Sequence, residues 1–286
     1  MALTTLESAM MANNAGAQSF RNRIINGSFV IDQRNAGASA STGTAIDTYF
    51  ADRWSVNASG AALTASRSGS AATNDLALTL TSATGNTGAV VKQRIESANI
   101  QDLAGKMVTV SFTASASVLA SVVAGVGYAS AADNFTTVIA IASQPVSIVS
   151  TAGRYAVSFF LPSGAANGLE LSFTLGAMAS GIFTLTDVQL EEGASATPFE
   201  RRPAGLELAL CHRYFQKLSC VYGGRHDVVA TYATVNMGIP MRVAPIVAAS
   251  YGANSSLYVA QPDCLVFKAD AAASVQVMDA TLNAEL

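Results

Sequence analysis

Charge is the scarcest property of this 286-residue chain: Asp, Glu, Lys and Arg make up 12% of it, against about 25% in an ordinary soluble domain. Ala, Ser, Thr and Gly fill the deficit, not long apolar runs. No stretch approaches the roughly 18 continuous apolar residues of a membrane-spanning helix, so membrane insertion is not expected. A surface so poor in charge is hard to keep soluble alone, and part of it is expected to be buried against further copies of the chain. Excess positive charge is missing too. The net charge is −3 and the pI about 5.4, which argues against nucleic acid as a partner, since phosphate recognition needs a basic face. Cys211, Cys220 and Cys264 are few, odd in number and widely spaced. They form no zinc or redox pattern and read as free thiols of a protein made in a reducing cytoplasm. His212 and His226, the only histidines, have no metal-ligand spacing. A G-x-S-x-G elbow, a phosphate loop and a dinucleotide fingerprint are all absent. The first residues carry Glu7 and no basic run, unlike a secretory signal. Nothing in the sequence points to an enzyme.

What the chain does contain is period-two patterning. Lys106 to Ala114 alternates, with Val108, Val110 and Phe112 on one face and Thr109, Ser111 and Thr113 on the other. Tyr155, Val157 and Phe159 repeat the pattern, as do Leu169, Leu171, Phe173 and Leu175 against Glu170, Ser172 and Thr174. Such alternation predicts half-buried antiparallel sheet. Ile182 to Leu190 changes parity, which predicts a bulge near Thr186–Asp187 or a strand covered on both faces. Ahead of the strands, residues 2–14 have helical spacing, with Leu3, Leu6 and Met10 on one face. So short a helix has to dock on something, and these three residues are the candidates for assembly. Leu206, Leu210 and Tyr214 give a second helical run between Pro203 and a final series of short strands. The expected architecture is all-β: an N-terminal anchoring helix and linker (1–22), a β-jelly-roll sandwich (23–198) of eight to ten strands, then a linker, a helical turn and a smaller C-terminal β-sandwich (199–286).

Four segments carry a family likeness. The first is Ile25-Asn26-Gly27-Ser28-Phe29 with Asp32-Gln33-Arg34, and the second is Tyr49-Phe50-Ala51-Asp52-Arg53-Trp54. The third runs through Gln189-Leu190-Glu191 and Ala196-Thr197-Pro198-Phe199-Glu200 into Glu207-Leu208-Ala209-Leu210-Cys211 and Arg213-Tyr214-Phe215. The fourth is Pro240-Met241-Arg242-Val243-Ala244-Pro245 with the closing Asn283-Ala284-Glu285-Leu286. Together they resemble a family of bacteriophage tail fibre and tail-associated virion proteins with carbohydrate-binding-like jelly rolls. That family often has Gln where His212 stands. The resemblance covers everything but the N-terminal helix. It implies a structural or adhesive virion component, made in the bacterial cytoplasm, that contacts host surface glycans and attaches to other virion proteins through its N-terminus. A homo-oligomer, a trimer above all, is the expected state. A capsid decoration protein, a free carbohydrate-binding module and a depolymerase are the competing readings.

For glycan binding the candidates are Tyr49, Trp54, Tyr128 and Phe135, whose rings would stack on a pyranose. For Trp54, core packing is the alternative. Jelly rolls of the kind it resembles often hold a structural calcium where the first and last strands meet. Asn26 and Asp187 are the candidate ligands, with a hydrogen-bonded bulge as the alternative. No other cofactor is expected. Glu191, Glu192 and Glu200 beside Arg201 and Arg202 read as an ion network at the domain junction, not as a glycosidase pair, and His212 as a packed or hydrogen-bonded residue there.

Overall fold

The structure, a computed structural model, describes residues 20–70, 75–218, 221–225, 231–251, 255–269 and 274–286. The expected assembly residues Leu3, Leu6 and Met10, together with Cys220 and His226, lie outside the described residues.

The fold is all-β. Chain order gives β1 (Ala40–Ser41), β2 (Gly43–Thr44), β3 (Thr48–Ala51), β4 (Trp54–Gly60), β5 (Thr64–Ser70), β6 (Asp75–Thr81), β7 (Asn86–Ile95), β8 (Met107–Ala116), β9 (Ser121–Ala131), β10 (Asn134–Ser147), β11 (Gly153–Phe160), β12 (Leu169–Leu175) and β13 (Ile182–Glu192). These form two sheets, ordered β1-β5-β6-β13-β8-β11 and β10-β9-β12-β7-β4-β2, with β3 pairing to β4. All pairings are antiparallel except β2 with β4. The alternation in the sequence chose the faces. Val108, Val110 and Phe112 are fully buried, and Leu169, Leu171 and Phe173 meet them from the other sheet. Phe112 and Phe173 touch edge to face across the interface at 4.8 Å between centroids. Each such side chain contributes roughly 1.5–3 kcal/mol by leaving water.

Two expectations need correction. Residues 21–39 hold no regular strand; they form an arm that is buried from Ile24 to Phe29 and runs along β13 in its first part. Arg23 N donates to Leu190 O and Val188 N to Gly27 O, both at 2.9 Å. The Asn22 amide ties Val188 O and Leu190 N into the same seam. Gly27 is required there, because a Cβ would lie 2.1 Å from Val188 O. The strand count also exceeds eight to ten, because β1, β2 and β3 are short edge pieces that alternation cannot reveal. The parity change in β13 is a bulge: its register with β8 shifts between Thr186 and Gln189.

After β13 comes α1 (Ala204–His212), with Pro203 just before its first residue, where a missing N–H costs nothing. Then follow β14 (Phe215–Leu218), β15 (Val221–Arg225), β16 (Thr231–Asn236), β17 (Ile246–Tyr251), β18 (Ser255–Ala260), β19 (Cys264–Ala269) and β20 (Ser274–Asn283). The strand expected from Arg213 to Tyr222 starts later: Arg213 and Tyr214 complete the helix end, and β14 begins at Phe215. One sheet joins β14 and β15 to β20, which β17 also pairs; the other is β16-β19-β18. Their shared core holds Met237, Met241, Leu265, Phe267 and Leu282, separate from the core of the larger sandwich.

Trp54→Ala is expected to destabilise the protein by about 3–5 kcal/mol, read by urea denaturation. A loss below about 1 kcal/mol would mean that the indole does not anchor the core.

Candidate functional site

Two places concentrate polar side chains: a trough on the open face of the seven-stranded sheet, and the seam between the two sandwiches.

The trough follows from strand parity. Odd-numbered residues of β7 and β12 from 89 and 169 onward point into the core, so the even ones face outward. Cross-strand register sets two rows on this outer face. Ser55, Lys92, Ser172, Gly125 and Ser143 form one; Arg94, Glu170, Gly127 and Ala140 form the other. Between β12 and β10 the surface dips into a groove of about 280 Å³, lined by Gly125, Gly127, Val138, Ala142, Glu170 and Ser172 among others, near the small end of small-ligand sites. Gly127 keeps the floor low, since a Cβ there would meet Val138 Cγ1 at 2.6 Å.

A chain of charges fixes one side of the groove. Arg94 Nε donates to Glu170 Oε2 at 2.9 Å, and its Nη2 lies 3.6 Å from Asp47, which also holds Lys92 Nζ at 2.8 Å. Burial pushes the Asp47 carboxyl up, but the bonds from Lys92 and Asn57 and the charges of Lys92 and Arg94 outweigh it. Its pKa lies below the ordinary value. The Phe135 ring backs Arg94, with the guanidinium carbon 5.2 Å from its centroid. The groove thus offers a positioned carboxylate and hydroxyls above small apolar side chains. None of the four expected sugar-stacking aromatics lines it.

Those aromatics have other duties. Trp54 is fully buried: it stacks on Phe29 at 5.1 Å, and its Nε1 donates to Asn26 O at 2.9 Å. With no exposed face it cannot stack on a sugar. Phe135 is 7% exposed and serves as the support for Arg94. Tyr128 is half-buried on the core side of β9, opposite in parity to Gly125 and Gly127. Tyr49 belongs to the seam, where its hydroxyl lies 3.4 Å from Leu286 O. The groove's polar residues escaped notice in the sequence, although the outward parity of Glu170 and Ser172 was the usable signal. Their neighbours on β9 and β10 left no such signal.

Asn26 and Asp187 do not converge on a cation. The Asn26 side-chain oxygen accepts from Ile31 N, and its carbonyl from Trp54 Nε1 and Phe29 N. Asp187 sits in the bulge at φ 49°, with its carboxylate 3.4 Å from Arg201 and its carbonyl bonded by Arg154. Arginines and spent oxygens do not suit calcium, which takes six to eight oxygen ligands. Among the described residues no cluster of His, Cys, Asp and Glu suits a metal.

The seam gathers residues from all four motif segments. The Asp52–Arg53 pair is the two-residue turn between β3 and β4, and Arg53 adopts φ 73°, the left-handed region that the second central residue of a type II turn takes. That turn drives Arg53 to 1% exposure. There it pairs with Glu285, donates to Arg94 O and lies 3.5 Å over the Tyr214 ring. Arg34 Nη2 holds the other Glu285 oxygen at 3.0 Å, and its guanidinium covers Phe215 at 3.8 Å. Nearby, Glu207 accepts from Asn26 N and pairs with Arg202, and Arg213 Nε binds Glu96 at 2.7 Å. Glu191 is buried and engaged by Thr197 and Gln189; Glu192 pairs with exposed Lys106; Glu200 accepts from Asn22 N. Glu191 and Glu192 thus bond partners of the larger sandwich, and Glu96, Glu207 and Glu285 are the acids that cross the junction.

Gln33 links two titratable groups. Its Nε2 donates to Asp52 and to Phe215 O, which leaves its Oε1 to accept from His212 Nε2 at 3.1 Å. Burial pushes the Asp52 carboxyl up, against bonds from Gln33 and the Arg34 charge. Burial also lowers His212, partly offset by Asp52. Burial pushes the Cys211 thiol well up, so it is unreactive.

No family model matches the chain, and no curated protein matches it in sequence. Among solved structures it is similar to a CBM4 protein, at 18% identity and a TM-score of 0.40 over 59% of this chain and 98% of that one. It is also similar to the enzymatically active domain of tailspike protein 4 of bacteriophage CBA120 (16%, 0.43), over 60% of this chain and 22% of that one. A third is a putative sugar binding protein from Bacteroides thetaiotaomicron (13%, 0.40), over 60% of this chain and all of that one, 100%.

Glu285→Ala strands two buried guanidinium groups and is expected to cost about 3–5 kcal/mol in urea denaturation. Glu192→Ala, at an exposed pair, should cost under about 1 kcal/mol; equal costs would show that the Glu285 pairs are not buried. The lowered His212 pKa sets a sign as well. The unfolded chain takes up that proton near pH 6.5 and the folded chain resists it, so stability is complete above that pH and lost as pH falls below it. His212→Gln is expected to flatten the decline in melting temperature between pH 7 and 5.5, and an unchanged decline would assign it to other groups.

Proposed function

We propose that the protein is an adhesive, non-catalytic component of a bacteriophage particle, a tail fibre or tail-associated protein that recognises host surface glycans. The groove on the seven-stranded sheet carries the glycan reading. A sugar has apolar C–H faces and a rim of hydroxyls. The groove matches that chemistry with Val138, Ala140 and Ala142 beside Ser143, Ser172 and the Glu170 carboxylate held by Arg94. Its side chains are positioned by register and ion pairs before any ligand arrives, which limits the entropy lost on binding.

The resemblance of the four motif segments supports a virion role, and it is consistent with that reading that they meet in one brace. The acids of the junction are engaged by backbone, threonine, glutamine and basic partners, which supports adhesion over glycan cleavage. Assembly into a homo-oligomer is part of the proposal. Edge strand β10 supports it: fourteen residues without a charged side chain, largely exposed, with Ile139 at 40%. Pro145 and two bulges blunt part of this edge, while charge, the other device that keeps long edges from pairing with another chain, is missing. In the proposed particle the chain attaches to other virion proteins through its N-terminal segment.

On an array of bacterial surface oligosaccharides the protein is expected to bind. Glu170→Gln should weaken binding about tenfold, in line with one charge-assisted hydrogen bond, and Ser172→Tyr should abolish it by filling the groove, both with unchanged melting. Full binding by Ser172→Tyr would remove the groove from the reading, and no binding by the wild-type protein would reduce the role to a structural one. Antibody labelling of intact particles in electron micrographs separates tail from capsid.

A further inference from the structure

The smaller sandwich carries a feature that the groove does not explain. In the sheet β16-β19-β18, Leu265, Phe267 and Ala269 point into the core, so Val266 and Lys268 face outward. Register places Tyr232 beside Lys268, and Lys268 beside Ser256. The outward row therefore begins and ends on strands flanking β19. Tyr232 from β16 and Tyr258 from β18 reach toward each other over that central strand, with ring centroids 5.3 Å apart and planes inclined at 70°. Tyr258 falls where the β18 register shifts, between Leu257 and Val259; a bulge of this kind re-aims a side chain.

Both rings stay in water. Tyr232 is 51% and Tyr258 60% exposed, while Phe215 and Phe267 of the same domain are buried. Edge-to-face contact is a favoured aromatic geometry, and it holds the two rings in a corner. One ring offers an open π-face, and the other closes the side with its edge. Around them the outward positions are Thr234 and Asn236 on β16, Ser256 on β18 and Lys268 on β19, with the cross-strand pair Val259 and Val266 the aliphatic ones. An aromatic corner in a field of hydroxyl and amide groups fits a ligand with a flat C–H face and a hydroxyl rim. A protein partner would be met by a broader aliphatic surface.

We infer that Tyr232 and Tyr258 form a second carbohydrate-binding point, which takes a single hexopyranose unit against the Tyr face. The ligand class rests on the glycan reading above; the site and its domain are independent of the groove. A polysaccharide long enough to reach both points would gain avidity without tighter single contacts.

The test uses the full chain, the same oligosaccharide array, and Tyr232→Ala, Tyr258→Ala and Tyr232→Phe beside Glu170→Gln. Each Tyr→Ala variant is expected to weaken binding about tenfold with unchanged melting, since both rings are exposed, whereas Tyr232→Phe retains most of it because the π-face remains. Combining Tyr232→Ala with Glu170→Gln should lower binding further than either change alone. Wild-type-like binding by both Tyr→Ala variants, with loss confined to Glu170→Gln, overturns this inference and leaves the groove standing. A changed sedimentation coefficient in the Tyr→Ala variants also overturns it, by assigning the face to a subunit contact. Absence of binding by the wild-type protein removes the groove reading and this one together.

Discussion

Glu285, held between Arg34 and Arg53 and almost shielded from water, is the interaction on which the relation of the two sandwiches depends. Both guanidinium groups are themselves buried against aromatic rings, Tyr214 beneath Arg53 and Phe215 beneath Arg34. Desolvating three charges is costly unless each is paired and hydrogen-bonded, so the seam tolerates little rearrangement. The residues come from the arm, the β3–β4 turn, the segment that follows α1 and the tail after β20. One carboxylate thereby fixes four separate pieces of chain.

That constraint propagates outward. Arg53 also donates to Arg94 O, and Arg94 Nη1 donates to Leu286 O at 2.7 Å. The same Arg94 guanidinium holds Glu170 at the groove. The brace and the groove therefore share a side chain. Whatever settles the C-terminal sandwich in place also settles the carboxylate that faces the groove. A chain with little charge has used much of it here, in the interior and along one sheet face, and has left strand β10 without any.

The legible parts of the fold were those written in a period of two. Val108, Val110 and Phe112 declared their face, and the parity change at Thr186–Asp187 declared the bulge. The helical run after Pro203 was readable from Leu206, Leu210 and Tyr214. Strands β9 and β10 were not, because Ser121–Ala131 and Asn134–Ser147 mix small and apolar residues on both faces, so periodicity cannot choose a side. The site was legible in fragments. Trp54 was readable as a core anchor, whereas the acids near the junction gave no hint of their partners, which for Glu191, Glu192 and Glu200 include Thr197, Lys106 and Asn22. Trp54 and Phe135, assigned to sugar stacking, lie buried, because an aromatic in a strand looks the same in sequence whether its ring ends inside or outside.

The sequence by itself determined the class: all-β from alternation, few charges, and four motif segments that carry Gln33, Arg34, Asp52, Arg53, Glu207 and Glu285 without relating them to one another. Tertiary structure alone decided how they are related. Glu285 and Arg53 are 232 positions apart, and only the packing of the tail after β20 against the first sandwich brings them into contact. The same holds for the groove and for the Tyr232–Tyr258 corner. Each is assembled from strands whose neighbours are set by sheet order and register, which are properties of the whole fold and not of any local stretch of chain.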